Sequence, residues 1–183
     1  MALTATVYHL RIDLSDVDRG VYESLDLRLA RHPSETMRYL LLRALAYCLC
    51  FEEGIAFSKG LSSTDEPAVW TREGDGRVTR WIDIGRPAME RLHKARKLTD
   101  RVAVFTADDP SFLQREARGA KLHRGDDIAL WCVDPALLDA LEAKVDRNTA
   151  LTVVHTEGAL YVTVGETTLQ GTVRIAPLVE PTS

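Results

Sequence analysis

The sequence predicts an α/β (α+β) fold in which a mixed central sheet is flanked by helices. Alternating apolar and polar residues at both ends of the chain indicate strands, and four segments of helical periodicity between them are separated by short apolar runs. With 183 residues, of which 45% are hydrophobic, the chain has enough apolar material for one core. We therefore predict a single domain over residues 1–183.

The chain opens with a predicted β-hairpin and a helix. Residues 3–14 and 21–30 alternate apolar and polar side chains, with a turn-like stretch between them. Pro33, Ser34 and Glu35 then predict a helix start, because Pro is tolerated in a first turn and an acid is favoured near the positive end of the helix dipole. This helix is expected to run to about residue 50 and is apolar almost all round, which indicates burial on several sides.

The middle of the chain alternates between strands and helices. Gly74, Asp75 and Gly76 give strong hairpin-turn chemistry, and an Asp-Pro pair at Asp109 predicts the start of a short helix that ends near residue 119. The remaining elements are predicted from apolar runs and helical spacing as strands at 55–57, 68–72, 78–84 and 102–106 and a helix at 87–98.

The last third predicts one more strand and helix, followed by an antiparallel meander. A second Asp-Pro pair, at Asp134, predicts the helix start. The strands after it alternate and are separated by Gly158 and Gly165, which is typical of tight turns. The predicted ranges are 128–133 for the strand, 136–145 for the helix, and 151–155, 160–164 and 169–175 for the meander.

Composition limits the classes of function. The net charge of −4 argues against a general nucleic-acid coat, although residues 77–101 carry eight basic and three acidic side chains. That run is either an interaction surface or a solvated helix face. The sequence has no apolar stretch that would span a membrane and no targeting signal, so we expect a cytoplasmic protein. Three cysteines without metal spacing predict neither a disulfide framework nor a zinc site.

Asp83 is the first candidate for chemistry. Strand alternation places it on the same face as Trp81, so its carboxylate is expected to face inward at a strand end. Such an Asp is either a turn residue or a metal ligand. Asp65 and Glu66 precede the strand that forms a hairpin with the Asp83 strand and could converge on it; alternatively they belong to a solvated acidic loop.

Basic residues on the second helix are the next candidates. Helical spacing places Lys94 at the edge of the apolar stripe, where it can reach inward, with Arg91 as a second candidate and Lys97 on the opposite side. An exposed ion pair with Glu90, four residues earlier, is the structural alternative for Lys94. Glu35 shares a predicted helix face with inward residues, but dipole stabilisation alone could also explain it.

These motifs together resemble the YaeQ family. The resemblance rests on residues 29–36 (LARHPSET), 65–67 (DEP), 81–85 (WIDIG) and Arg91 with Lys94 and Ala95, and it extends along the whole chain. That family is similar to PD-(D/E)XK nucleases, whose core is a helix, three antiparallel strands, a helix and a further strand. The predicted order from Glu35 to residue 106 agrees with that core.

The resemblance implies a set of site residues. In the superfamily, acids on the first helix, early in the hairpin and on the next strand bind a divalent metal; by position these are Glu35, Asp65 or Glu66, and Asp83. The resemblance departs at Gly85, where a lysine is expected, and Lys94 from the following helix is the candidate replacement. The implied metal is Mg²⁺, with Mn²⁺ as a substitute, held by Asp65 and Asp83.

Two hypotheses about function follow. The first is a Mg²⁺-dependent nuclease or phosphodiesterase with catalytic Glu35, Asp65, Glu66, Asp83 and Lys94, and with nucleic acid bound by Arg91, Lys94 and Lys97. The second is a non-catalytic module that binds nucleic acid or a protein through residues 77–101. The sequence contains no dinucleotide-binding glycine motif, Walker loop or nucleophile elbow, which removes the common alternatives.

Overall fold

The computed structural model describes residues 4–59 and 63–181. Its elements, in chain order, alternate as the sequence predicts. They are β1 (Thr6–Asp16), β2 (Val21–Arg31), α1 (Met37–Leu49), β3 (Ile55–Phe57), β4 (Val69–Arg72), β5 (Val78–Ile84), α2 (Met89–Leu98), β6 (Val102–Thr106), α3 (Pro110–Arg118), a 3₁₀ turn (Gly125–Asp127), β7 (Ala129–Val133), α4 (Pro135–Glu142), β8 (Asn148–Thr156), β9 (Ala159–Val164) and β10 (Thr167–Pro177).

The strands form one mixed sheet in the order β2-β1-β8-β9-β10-β7-β6-β5-β4-β3. The predicted N-terminal hairpin is confirmed, because β1 and β2 pair antiparallel. The predicted C-terminal meander is also confirmed, because β8 pairs antiparallel with β9 and β9 with β10. In the other half, β5, β6 and β7 are parallel, joined by α2 and α3. The mixed sheet with flanking helices is therefore confirmed.

Helices cover both faces of the sheet. The larger apolar core contains α1 and α4, with Ile82 and Ile84 of β5 on their side. The smaller core contains Leu92 of α2 and Leu113 of α3 packed against Trp81, which lies on the opposite face of β5. Residue alternation along β5 thus decides which side chains meet α1 and which meet α2. No α-helix of the described residues is both long and apolar enough to cross a bilayer.

The start of α1 differs from the prediction. The helix begins at Met37, and Thr36 caps it by accepting a hydrogen bond from the amide of Tyr39 over 3.1 Å. Glu35 lies before the cap, so its expected position on a helix face was wrong. With Thr36 as the cap, the chain before it is free to turn the Glu35 carboxylate back toward α1.

Glu35 forms a buried ion pair with Arg43. The Oε1 atom of Glu35 accepts hydrogen bonds from Nη2 of Arg43 over 2.7 Å and from Nε over 3.0 Å, and both side chains are at least 98% buried. The amide of His32 donates to the other carboxylate oxygen, and Arg43 also donates to the carbonyl of Ala30. The pair therefore ties the end of β2 to the middle of α1.

The pair predicts a large effect of removing one partner. We expect Arg43→Met to lower the free energy of unfolding by about 3–5 kcal/mol, because Glu35 is left buried and uncompensated. Urea denaturation measures the change. Arg38→Met is the matched control, since Arg38 pairs with the exposed Asp139 and such pairs contribute about 0–1 kcal/mol. Equal effects of the two substitutions would contradict the buried ion pair. Combining Glu35→Gln with Arg43→Met should recover part of the lost free energy of unfolding, because the uncompensated charge is removed.

Burial also controls the reactivity of the cysteines. Cys48, Cys50 and Cys132 are free thiols, and burial raises the pKa of Cys48 and of Cys50 to about 12. Since the thiolate is the reactive form, a raised pKa keeps both thiols protonated at neutral pH. Cys132 is less enclosed, with its pKa raised as well.

Alkylation should follow this order. In native protein at pH 8 we expect iodoacetamide to modify Cys132 first and to leave Cys48 and Cys50 unmodified until denaturant is added, with peptide mass spectrometry as the measurement. Raising the pH toward 12 is expected to increase the modification of Cys48 and Cys50. Rapid modification of either one at pH 8 in folded protein would contradict this packing.

Candidate functional site

Asp83 lies near the carboxyl end of β5, on the face covered by α2. Only 3% of the residue is exposed, and the indole Nε1 of Trp81 donates a hydrogen bond to Oδ2 over 2.9 Å. The expectation that Asp83 faces inward beside Trp81 is confirmed. A carboxylate this enclosed requires a positive partner, because an isolated buried charge is very costly.

Arg91, in the first turn of α2, supplies that partner. Its Nε donates to Oδ2 of Asp83 and its Nη2 to Oδ1, each over 2.9 Å, in a bidentate pair. The same guanidinium also donates to the backbone carbonyls of Thr64 and Glu66, and it lies 5.4 Å from the ring centroid of Trp81. Four oxygen atoms from three residues therefore surround one cation.

The acidic stretch before β4 does approach Asp83. Glu66 is half-buried and lines a cavity of about 400 Å³ into which Asp83 also opens. Asp65 is exposed and does not line that cavity. The structure thus brings Glu66, and not Asp65, to the cavity into which Asp83 opens, and Oε2 of Glu66 accepts a hydrogen bond from the amide of Lys59 over 3.3 Å.

The cavity is lined by residues from three parts of the chain. Tyr39 of α1 forms one wall, Arg86 and Arg91 supply positive charge, and the Thr64 to Glu66 stretch closes another side. Burial raises the pKa of the Tyr39 phenol, and the negative charges of Asp83 and Glu35 raise it further against the opposing effects of Arg43 and Arg91. Tyr39 is therefore a neutral hydroxyl at physiological pH that can donate a hydrogen bond into the cavity.

Glu35 and Lys94 are not part of this cavity. Glu35 is engaged by Arg43 and by the amide of His32. Lys94 is 73% exposed and lies 3.4 Å from Glu90, so the expectation that it reaches inward is wrong. Because α2 begins beside the end of β5, Arg91 in its first turn reaches Asp83, whereas Lys94 comes one turn later and faces solvent.

The basic run at 77–101 does not form one free surface. Arg80 and Arg101 pair with Glu52 near the start of β6, at the opposite end of the parallel strands from Gly85. Lys97 is exposed and makes no ion pair with a described residue. Each of the other cations of the run pairs with an acid. These pairs are Arg77–Glu73, Arg86–Asp108, Arg91–Asp83, Lys94–Glu90 and Arg96–Asp127.

Arg43, outside the cavity, and Arg91, which lines it, both carry a signal in the sequence. Arg43 is a charged residue inside a helix that is apolar almost all round, which by itself indicates a buried ion pair. Arg91 was the second candidate behind Lys94. Its longer, planar guanidinium suits bidentate binding of a carboxylate better than an ammonium group does.

Gly85 stands where the resemblance would place a lysine, and its backbone conformation disfavours any side chain. Its φ of +79° is in the left-handed region, where a side chain is strained, and its amide donates to the carbonyl of Phe105 over 2.8 Å. An added Cβ would meet no heavy atom within 4 Å. The constraint on residue 85 is therefore the backbone conformation and not a lack of space.

We expect Gly85→Ala to reduce the free energy of unfolding by about 1–2 kcal/mol, because Ala must adopt the left-handed conformation. Thermal or urea denaturation measures this. Gly74→Ala is the control, since Gly74 also has open space around it but no positive φ. If the two substitutions cost the same, the turn at Gly85 does not impose the predicted strain.

Comparison with known proteins places this arrangement in a family. Solved structures of YaeQ proteins from Xanthomonas axonopodis pv. citri and Pseudomonas syringae match with TM-scores of 0.86 and 0.82 at 29% and 31% sequence identity. The alignments cover 95% and 93% of this chain and 99% and 95% of those chains.

Curated relatives give the same result. The chain is 32% identical over 162 residues to the uncharacterized protein YaeQ of Escherichia coli (strain K12), covering 88% of this chain and 90% of that protein. The YaeQ protein of Salmonella typhi is 32% identical over 165 residues. The sequence profile described as YaeQ protein matches residues 1–173. This chain therefore belongs to the YaeQ family.

Proposed function

We propose that this chain is a divalent-metal-dependent phosphodiesterase that acts on nucleic acid through a variant PD-(D/E)XK site centred on Asp83. One observation carries the proposal. A buried carboxylate, Asp83, at a strand end opens into a cavity that is also lined by the acidic residue Glu66 and by the cations Arg86 and Arg91. Oxygen ligands for a metal and positive groups for a phosphate thus lie together.

The order of elements around the site supports the superfamily resemblance. The chain runs through α1, the antiparallel strands β3, β4 and β5, then α2, then β6 parallel to β5. This is the helix, three-strand, helix and strand order that the resemblance implies. Asp83 lies near the end of the third strand of that unit, where the resemblance expects a metal-binding acid.

The oxygen atoms at the site are of the kind that Mg²⁺ prefers, and Mg²⁺ usually takes one or two carboxylates with water and phosphate at its remaining positions. Asp83 and Glu66 would hold the ion, with the neighbouring exposed Asp65 as the alternative second carboxylate. No three His, Cys, Asp or Glu side chains within residues 4–59 and 63–181 converge as a preformed metal cluster. An ion held there would take its remaining ligands from water and from the substrate phosphate.

A bound Mg²⁺ or Mn²⁺ polarises a phosphoryl oxygen and makes a water molecule more acidic. Substrate binding and positioning are the roles of the protein's own side chains. Arg86 and Arg91 bind the phosphate through their planar donor groups, and the exposed Lys94 and Lys97 contact phosphates farther along the strand. Glu35, fixed by Arg43, positions the segment that leads into α1 and thereby the Tyr39 wall.

The second candidate function is a non-catalytic module that binds nucleic acid or a protein partner. The bidentate Asp83–Arg91 pair favours it, because a permanently paired carboxylate cannot bind a metal. In that case the cavity would recognise a ligand without turnover. The two functions differ in whether substitution of Asp83 abolishes a reaction or only weakens binding.

Cleavage assays separate these functions. We expect the purified chain with Mn²⁺ or Mg²⁺ to cleave one or more of single-stranded, duplex and branched nucleic acids, and Asp83→Asn to reduce the rate by about 100-fold or more, because the central oxygen ligand is lost. Glu90→Gln is the matched control, since Glu90 is an exposed carboxylate on α2. Nucleic-acid binding without cleavage by the parent would instead establish the binding module.

A further inference from the structure

The Arg91 guanidinium occupies a cage of oxygen atoms. Both carboxylate oxygens of Asp83 accept from it over 2.9 Å, and the backbone carbonyls of Thr64 and Glu66 complete the set. A hard divalent cation takes the same kinds of ligand, namely carboxylate and backbone oxygens. The positive charge of the arginine thus stands where an ion at the Asp83 site would stand.

The location of Arg91 allows it to leave. Its side chain is 27% exposed, whereas the Arg43 side chain in the pair with Glu35 is only 2% exposed. Arg91 lies at the edge of the cavity, and its two carbonyl partners belong to Thr64, which is exposed, and Glu66, which is half-buried. A long side chain in this position can swing into the cavity without disturbing the packing of α2, which depends on Leu92 and Ala95.

Asp83 keeps a partner when the arginine leaves. Trp81 donates to Oδ2 from within the core, independently of Arg91. This hydrogen bond orients the carboxylate and leaves Oδ1 open toward the cavity. A cation that replaces the guanidinium also replaces the countercharge that a buried carboxylate requires.

We propose that Arg91 and a divalent cation bind Asp83 in exchange. In the resting protein the guanidinium neutralises Asp83; when the ion binds, Arg91 moves into the cavity, where its donors are free to bind a substrate phosphate. The proposal rests on the proposed function of the site. It assigns to Arg91 both the resting state of the metal site and a contact with the phosphate.

Exchange predicts a gain of metal affinity on removal of the arginine. By calorimetric titration of Mn²⁺, Arg91→Met should bind at least about 10-fold more tightly than the parent, because the parent binds only in the fraction of molecules with Arg91 displaced. Arg38→Met is the control and should bind as the parent does, since Arg38 pairs with Asp139 and does not line the cavity. Asp83→Asn combined with Arg91→Met should not bind.

Thermal unfolding is the second readout. Without ion, Arg91→Met should melt below the parent, and Mn²⁺ should raise its midpoint more than that of the parent, because only the ion then compensates Asp83. Arg91→Lys keeps the charge with fewer hydrogen bonds and should lie between the two in both measurements. It serves as the test variant if Arg91→Met does not fold.

The outcomes separate the exchange from the proposed function. If a folded Arg91 variant binds Mn²⁺ no more tightly than the parent does, the exchange is overturned, even if the parent cleaves nucleic acid. A gain in affinity supports the exchange, and the absence of cleavage by every variant would then overturn only the phosphodiesterase. Tight binding by the double variant would overturn the exchange, because the ion would not be held by Asp83.

Discussion

The hydrogen-bond ladder of β10 is the constraint on which the interior of this protein depends. Residues 167–172 of this strand pair with β9, and residues 173–177 pair with β7, so one strand joins the meander to the parallel strands. Gly171 lies in the strand where a Cβ would come within 2.7 Å of the Leu137 Cβ. The absence of a side chain there lets α4 pack directly on β10.

The continuous sheet encloses α1, and that enclosure explains the Glu35–Arg43 pair. The larger core draws residues from β1, β2, β4, β5, α4 and the meander, so α1 meets apolar neighbours on nearly every side. Arg43 therefore has no route to solvent and must find its countercharge inside. Glu35 reaches it only because the helix begins at Met37, after Thr36, which frees the chain at Glu35 to turn back.

The Glu35–Arg43 and Asp83–Arg91 pairs share their chemistry but differ in exposure. The Arg43 pair is sealed within the core and holds β2 against α1. The Arg91 pair is enclosed on the carboxylate side and open on the arginine side, where a cavity with Glu66 and Arg86 begins. The proposed exchange requires a partly exposed base, which the fully buried Arg43 pair does not have.

The sequence by itself determined the order and type of the elements and the inward position of Asp83. Alternation around Trp81 and the Asp-Pro caps are local signals, and such signals predict the folded structure correctly when they agree with one another. The start of α1 was missed because Pro33, Ser34 and Glu35 predict an earlier start, whereas Thr36 is the cap in the structure and Glu35 turns back to pair with Arg43.

Only the tertiary structure decided which charges meet. Lys94 and Arg91 lie on neighbouring positions of one helix surface, and helical spacing predicts that either side chain can reach inward. The placement of the first turn of α2 beside the end of β5 selects Arg91 and leaves Lys94 in solvent. Likewise the basic run at 77–101 is divided among acids from distant elements, because ion pairing depends on proximity in space and not along the chain.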